Sequence, residues 1–281
     1  MSYNAKNYWD ALLEKSFDEA GVCWPKWPLS YNRHLHRQQK EGFETLLHKQ
    51  NISLHGKKVF EIGPGNGFWS GLLSSGGVSE YRGFDITKNS VEKLSLRYPA
   101  FSFIECDFSE YLPQQSEIEN FDLAMSVLVF LHITDNAKFE ACFENAGEML
   151  KKGGYFIVLD AVSQNTLRGK QQKMADGASF DITYHNKVRY MDYYTSVAAQ
   201  CNMEFIGYYP AFNITQNAFD FKSGIGFSIG SWYFNKILNP ILIKSGEKKG
   251  EVLGKILVAL DKFLFASMSS SSKWLVFRKR I

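Results

Sequence analysis

From Lys58 the chain runs through an apolar pair, Val59-Phe60, into Glu61-Ile62-Gly63-Pro64-Gly65-Asn66-Gly67. Three glycines at alternate positions follow a strand-like run and precede an apolar stretch, Phe68–Leu73, which admits few structures. Lys58–Ile62 reads as a strand buried on both faces. The glycines let the backbone turn tightly and let a ligand lie against bare main chain. The helix that follows turns its first unpaired N–H groups towards that ligand, which suits an anionic or nucleotide-like molecule. Strand, glycine turn and helix form the opening unit of an α/β sheet, in which ligands bind beyond the carboxyl ends of the strands. The dinucleotide fingerprint G-x-G-x-x-G would place its third glycine at position 68, where Phe68 stands, and the phosphate-loop pattern G-x-x-x-x-G-K-[ST] is absent.

The alternation continues along the chain. Tyr81–Phe84 reads as a strand closed by Asp85, and Thr87 caps a helix with Val91, Leu94 and Tyr98 on one face. Phe101–Cys106 and Phe121–Val127 are the third and fourth strands. The next helix has the clearest period, in Phe139, Cys142, Phe143, Ala146, Met149 and Leu150. Thr134 or Asp135 caps its start, and Gly153-Gly154 ends it. Tyr155–Leu159 is a fifth strand. A helix with Tyr190, Met191, Tyr194, Val197, Ala198 and Cys201 on one face comes next. Phe205–Tyr208 and Lys273–Arg278 are the last two strands. The expected fold is α/β, a doubly wound, mostly parallel seven-stranded sheet. Residues 1–55 read as an N-terminal helical cap, broken at Trp24-Pro25-Lys26-Trp27-Pro28, and residues 56–281 as the main domain. More than 60 residues separate the last two strands, and so long a connection needs structure of its own. Residues 210–272 are therefore read as an insertion, with a helix over Glu251–Met268 whose stripe is Leu253, Ile256, Leu257, Leu260 and Leu264.

Asp85 lies about 20 residues beyond the glycines, where a carboxylate can accept both hydroxyls of a ribose. Such charge-assisted bonds contribute roughly 1.5–3 kcal/mol each. With Asp85 in place, the E-x-G-x-G-x-G of Glu61–Gly67 resembles motif I of the class I, Rossmann-like S-adenosylmethionine (SAM)-dependent methyltransferases. Phe121–His132 resembles motif IV of that family, usually ending in LEH. Here Leu131 replaces the Glu and His132 keeps the His. Leu150-Lys151-Lys152-Gly153-Gly154 resembles the LKPGG turn, with Lys152 where proline is usual. The resemblance covers roughly residues 55–210 and leaves out the cap and the insertion. It implies SAM as cofactor. By the same resemblance, Asp107 meets the adenine amino group and Phe108 packs on its ring. The implied cofactor set is Glu61, Gly63, Pro64, Gly65, Gly67, Asp85, Ile86, Asp107, Phe108, Ser126 and Val127.

A sulfonium methyl is already electrophilic, so the protein has to align a nucleophile and deprotonate it when needed. His132, just beyond the fourth strand, is the first candidate base. His185, beside Tyr184 and Arg189, is the second. His34 and His36 stand in the cap, where they could close over the site. Oxygen of a small molecule, such as a natural product, sugar or lipid-linked metabolite, is the expected acceptor. Nitrogen, protein and RNA are alternatives, as is a catalytically silent SAM-binding protein. A nicotinamide-dependent oxidoreductase is disfavoured by Phe68. The insertion, rich in Phe212, Phe219, Phe221, Phe227, Trp232, Tyr233 and Phe234, is expected to form part of the acceptor pocket or its lid. Its helical stripe would be covered by the domain, by a second subunit in a homodimer, or by a membrane surface.

A net charge of +3 gives no reason to expect nucleic acid. Cys23, Cys106, Cys142 and Cys201 are widely spaced, with no CxxC pair and no metal-ligand spacing. Free thiols suit the cytoplasm. No apolar signal core and no transmembrane run is present.

Overall fold

The computed structural model describes residues 4–24, 26–163, 179–182, 186–211, 232–264 and 272–281. Strands β1 (Lys58–Ile62), β2 (Glu80–Asp85), β3 (Ser102–Glu105), β4 (Phe121–Val127) and β5 (Leu150–Ser163) run parallel in the order β3-β2-β1-β4-β5. Strand β9 (Ser272–Lys279) lies antiparallel to β5, and β8 (Met203–Pro210) antiparallel to β9. These seven match the expected strands. Two more enlarge the sheet to nine. Strand β5 continues past Leu159, and its Val162 and Ser163 pair with β7 (Lys187–Tyr190), which pairs antiparallel with β6 (Ser179–Ile182). The sequence conceals β7 because its Lys187 and Arg189 are buried. Its alternation, Val188 and Tyr190, is only two residues long, and it points the charged positions to the buried side.

Side chains alternate across the strands and build one core on each face. Phe156 and Val158 of β5, with Leu275 and Phe277 of β9, join Phe139 and Phe143 of helix α6 (Asn136–Met149) and Tyr194 of α7 (Met191–Gln200). Ile157 and Leu159, with Trp274 and Val276, face the other way. They pack against Phe43 and Leu46 of α3 (Leu29–Lys49) and Trp69 of α4 (Phe68–Ser75). Helices α1 (Ala5–Lys15) and α2 (Glu19–Val22) precede α3, and α5 (Lys88–Arg97) joins β2 to β3.

Between β8 and β9 lie a π-turn (Phe234–Leu238), α8 (Asn239–Lys244) and α9 (Glu247–Leu264). Helix α9 starts one turn earlier than the stripe predicts. Residues 212–231 and 265–271, with Phe212, Phe219, Phe221, Phe227 and the expected end at Met268, fall outside the described residues. The early start has a reason. Helix α3 begins after Pro28 without a side-chain cap of its own. Glu247 supplies one, its two carboxylate oxygens accepting from Leu29 N and Ser30 N, each at 2.9 Å. Glu251 adds a 3.1 Å contact to His34 Nε2.

A buried carboxylate ties the first core to β5. Asp160 accepts from Tyr194 Oη at 2.6 Å and from Ala161 N at 2.7 Å. Burial still pushes its carboxyl up to about 7.

Two outcomes follow. Glu247→Ala should lower stability by about 1 kcal/mol through the lost cap, read as a fall in Tm. An unchanged Tm would mean that water serves the α3 N-terminus equally well. Asp160 stabilises the fold fully below its ordinary value of 3.8 and loses that contribution as pH rises to about 7. Urea denaturation should show a loss of about 3 kcal/mol between about pH 5 and pH 8 from this group. Asp160→Asn should flatten that part of the profile, and a mutant slope equal to the wild type would assign the pH dependence to other acids.

Candidate active site

A cavity of about 640 Å³ lies beyond the carboxyl ends of β1, β2, β3 and β4. That size suits a cofactor-like molecule. The cap closes its far side through Lys6, Trp9 and Leu13 of α1, Val22 and Cys23, and His36 and Gln39 of α3.

The glycine turn forms the floor. Gly63 has φ +70°, and a Cβ there would meet Val129 Cγ2 at 2.5 Å. Gly67 has φ +81°, and a Cβ there would meet Leu94 Cδ2 at 2.3 Å. The two positions need glycine both for backbone conformation and for space. Gly63, Pro64, Gly65 and Ile86 line the cavity, whereas Gly67 caps α4 behind it.

Asp85 sits at the end of β2 and lines the cavity. Its Oδ1 accepts from Thr87 N (2.9 Å) and Thr87 Oγ1 (2.7 Å), and its Oδ2 accepts from Gly65 N (3.0 Å). Burial raises its carboxyl above the ordinary value, against the pull of these bonds. These bonds already take up much of the acceptor capacity of a carboxylate, on which the sequence reading places two ribose hydroxyls.

Asp107 and Phe108 follow β3 and both line the cavity. Asp107 Oδ2 meets Lys138 Nζ of α6 at 2.8 Å, and Oδ1 accepts from Ser109. Burial raises the Asp107 carboxyl, and the Lys138 and Ser109 bonds outweigh it and leave the group below its ordinary value. Phe108 packs between Phe84 and Tyr111.

Two further members of the expected set stand behind the cavity. Glu61 is fully buried, with Oε2 accepting from Tyr81 Oη (2.5 Å) and Ser70 Oγ (3.2 Å). Burial pushes its carboxyl up to about 7. This network locks β1 to α4 and β2. Ser126 is buried beside Ile62 of β1, and its Oγ has no hydrogen-bond partner. Val127 reaches the lining.

Beyond β4 the chain turns through Leu128, at φ +55°. A leucine in the left-handed region costs roughly 1–3 kcal/mol, a kind of strain that gathers at functional sites. His132 ends the short 3-10 turn Phe130–His132 and lines the cavity, its ring edge-on to Trp9 at 4.7 Å. Arg189 of β7 holds this turn from behind. It donates to Phe130 O (3.0 Å), Ile133 O (2.6 Å) and Asn136 Oδ1 (3.2 Å), and its guanidinium lies 4.2 Å from the Phe139 ring. His185 falls outside the described residues. The two cap histidines separate: His36 lines the cavity, within 2.9 Å of Cys23 Sγ, while His34 turns away to Glu251.

Sequence reasoning missed Lys6 and Gln39. Lys6 donates to Ile86 O at 3.2 Å and pairs with Glu105, which fastens α1 across β2 and β3. Gln39 is 1% exposed, and its Oε1 has no partner although the residue lines the cavity. Spacing gave a signal for Gln39 alone, since it lies one helical turn after His36. No described residue of the segment 232–264 lines the cavity.

A family model described as a methyltransferase domain matches residues 53–204, just over half of the 281-residue chain. No curated protein matches the chain. Among solved structures, the chain is similar to a proposed sarcosine dimethylglycine methyltransferase from Galdieria sulphuraria, at 16% identity and TM-score 0.52, over 87% of this chain and 86% of that one. It is similar at 15% identity and TM-score 0.52 to phosphoethanolamine N-methyltransferase 2 of Haemonchus contortus, over 97% of this chain and 60% of that one. That structure holds phosphomonomethylethanolamine and S-adenosylhomocysteine. A proposed SAM-dependent methyltransferase from Listeria monocytogenes matches at 10% identity and TM-score 0.50, over 86% of this chain and 98% of that one. The chain belongs to the methyltransferase-domain family, with the sheet order and glycine turn of its class I, SAM-dependent members.

Proposed function

We propose that this protein transfers a methyl group from SAM to the oxygen of a small molecule held between the carboxyl edge of the sheet and the cap. One observation supports this most. A single cavity is lined on one side by the glycine turn, Asp85 and Asp107, and on the other by His132, Trp9 and Gln39. The residues fit the cofactor. Asp85 stands at the cavity wall where a ribose hydroxyl would reach it, Ile86 and Phe108 offer apolar surface to a base, and Asp107 lies beside them.

SAM, when bound, supplies a methyl group already activated by its sulfonium. The remaining work belongs to the chain. His132 accepts the proton of the acceptor hydroxyl, with its ring positioned by Trp9 and its turn fixed by Arg189. Gln39 offers an amide oxygen that lacks a donor. Such a buried orphan costs about 1–3 kcal/mol, and a second hydroxyl or an N–H on the acceptor removes that cost. Helix α1 keeps water from the methyl path by lying across the opening.

Titration calorimetry should give heat with SAM and none with NAD. Asp85→Ala should weaken SAM by roughly ten- to a hundredfold, from the lost ribose bond and the loosened Gly65. Tight NAD binding without SAM heat would end the methyltransferase reading. With an acceptor found by mass spectrometry as a metabolite gaining one methylene, His132→Ala should lower kcat about 10²–10⁴-fold and leave SAM affinity unchanged. A variant as fast as the wild type at every pH tested would remove His132 as the base and shift the role to His185.

A further inference from the structure

Helix α9 is apolar on two faces. Leu253 and Leu257 pack on the second core beside α3, and Gly254 lies against the His34 ring. Folding explains that face. Val252, Ile256 and Leu260 form another stripe at four-residue spacing, and they are 56%, 51% and 38% exposed. Ile237 of the π-turn and Ile241 of α8 are exposed as well, and both share a groove with Val252. Clustered exposed aliphatic side chains of this kind mark contact surfaces.

Charge is divided between the same two faces. Of the described acidic side chains of α9, Glu247 caps α3, and Glu251 meets His34 and Lys255. Lys236, Lys244, Lys248 and Lys249 line the groove with Ile237, Ile241 and Val252. None of these four lysines forms an ion pair among the described residues.

We infer that the outer face of α8 and α9 docks onto an anionic lipid bilayer, lying in the plane of the headgroups. Aliphatic side chains ringed by lysines match the two things such a surface offers, an apolar boundary and negative charge. No described helix is long and apolar enough to cross a membrane, so the contact is peripheral. Each lysine near an anionic surface strengthens binding about fivefold, and salt weakens the effect. The inference is independent of which acceptor the cavity takes.

The test sediments the full chain with vesicles of phosphatidylcholine alone and with vesicles of equal parts phosphatidylcholine and phosphatidylglycerol. Binding should be confined to the anionic vesicles and should fall as salt is raised. The double variant Ile241→Asp with Ile256→Asp, and the triple variant Lys244→Glu, Lys248→Glu and Lys249→Glu, should each reduce vesicle binding more than tenfold. SAM calorimetry on the same variants should be unchanged, which shows that they fold. Absence of a preference for anionic vesicles, or variants that bind like the wild type, overturns the inference. So does a wild-type dimer in sedimentation equilibrium that both variants split, because a second copy would then cover the face.

Discussion

One carboxylate at the end of β2 holds the cavity end of the sheet together. Asp85 draws Gly65 N from the turn after β1 and Thr87 from the start of α5 onto the same two oxygens. Helix α5 then grips the turn from its other side, through Ser90 Oγ to Gly65 O at 2.8 Å and Arg97 Nη1 to Asn66 O at 2.9 Å. Removing a carboxylate from water costs several kcal/mol, and three charge-assisted bonds at roughly 1.5–3 kcal/mol each offset much of it. Burial keeps the upper hand, since the carboxyl remains above its ordinary value. The consequence for binding is preorganisation. The turn takes its shape from protein bonds, so little ordering cost is left for a ligand to meet.

The cap depends on the same sheet in a different way. Tyr31, Leu35, Phe43 and Leu46 of α3 are buried in the core layer that contains Trp69 and Trp274. Trp274 Nε1 also donates to Gln39 O at 3.3 Å. Helix α3 is therefore a structural layer and cannot behave as a detachable lid. Helix α1 is held differently, with Leu13 its single buried residue and Lys6 its tie to Ile86 and Glu105.

The parts of the structure visible in the sequence were those governed by short-range rules. The glycine turn, the Thr87 and Asp135 caps and the period of α6 depend on neighbours within a turn or a strand, and they lie where the pattern puts them. The parts that escaped depend on distant partners. Strand β7 carries buried Lys187 and Arg189, and Arg189 is satisfied by carbonyls more than fifty residues earlier. Glu61 reads as a cofactor residue from its motif, yet Tyr81 and Ser70 draw it away from the cavity. Asp85 lines the cavity, but its bond to Gly65 N spans 20 positions and leaves no local trace. Stripes also mislead. Ile256 and Leu257 appear in one apolar stripe, and the structure sends Leu257 to the core and Ile256 to the surface.

Helix α3 separates two surfaces that the sequence presents as one cap. His34 and Ser30 face α9, and His36 and Gln39 face the cavity. A residue two positions along a helix is turned by about 200°, so His34 and His36 point nearly opposite ways. Each histidine is thereby fixed by a different neighbour, His34 by Glu251 and His36 by Cys23 and Phe68. The Glu247 and Glu251 contacts seat α9 against the outside of the same helix whose inner face bounds the cavity. Helix α3, with Tyr31, Leu35, Phe43 and Leu46 buried in the core, is thus shared between the cavity wall and the seat of α9.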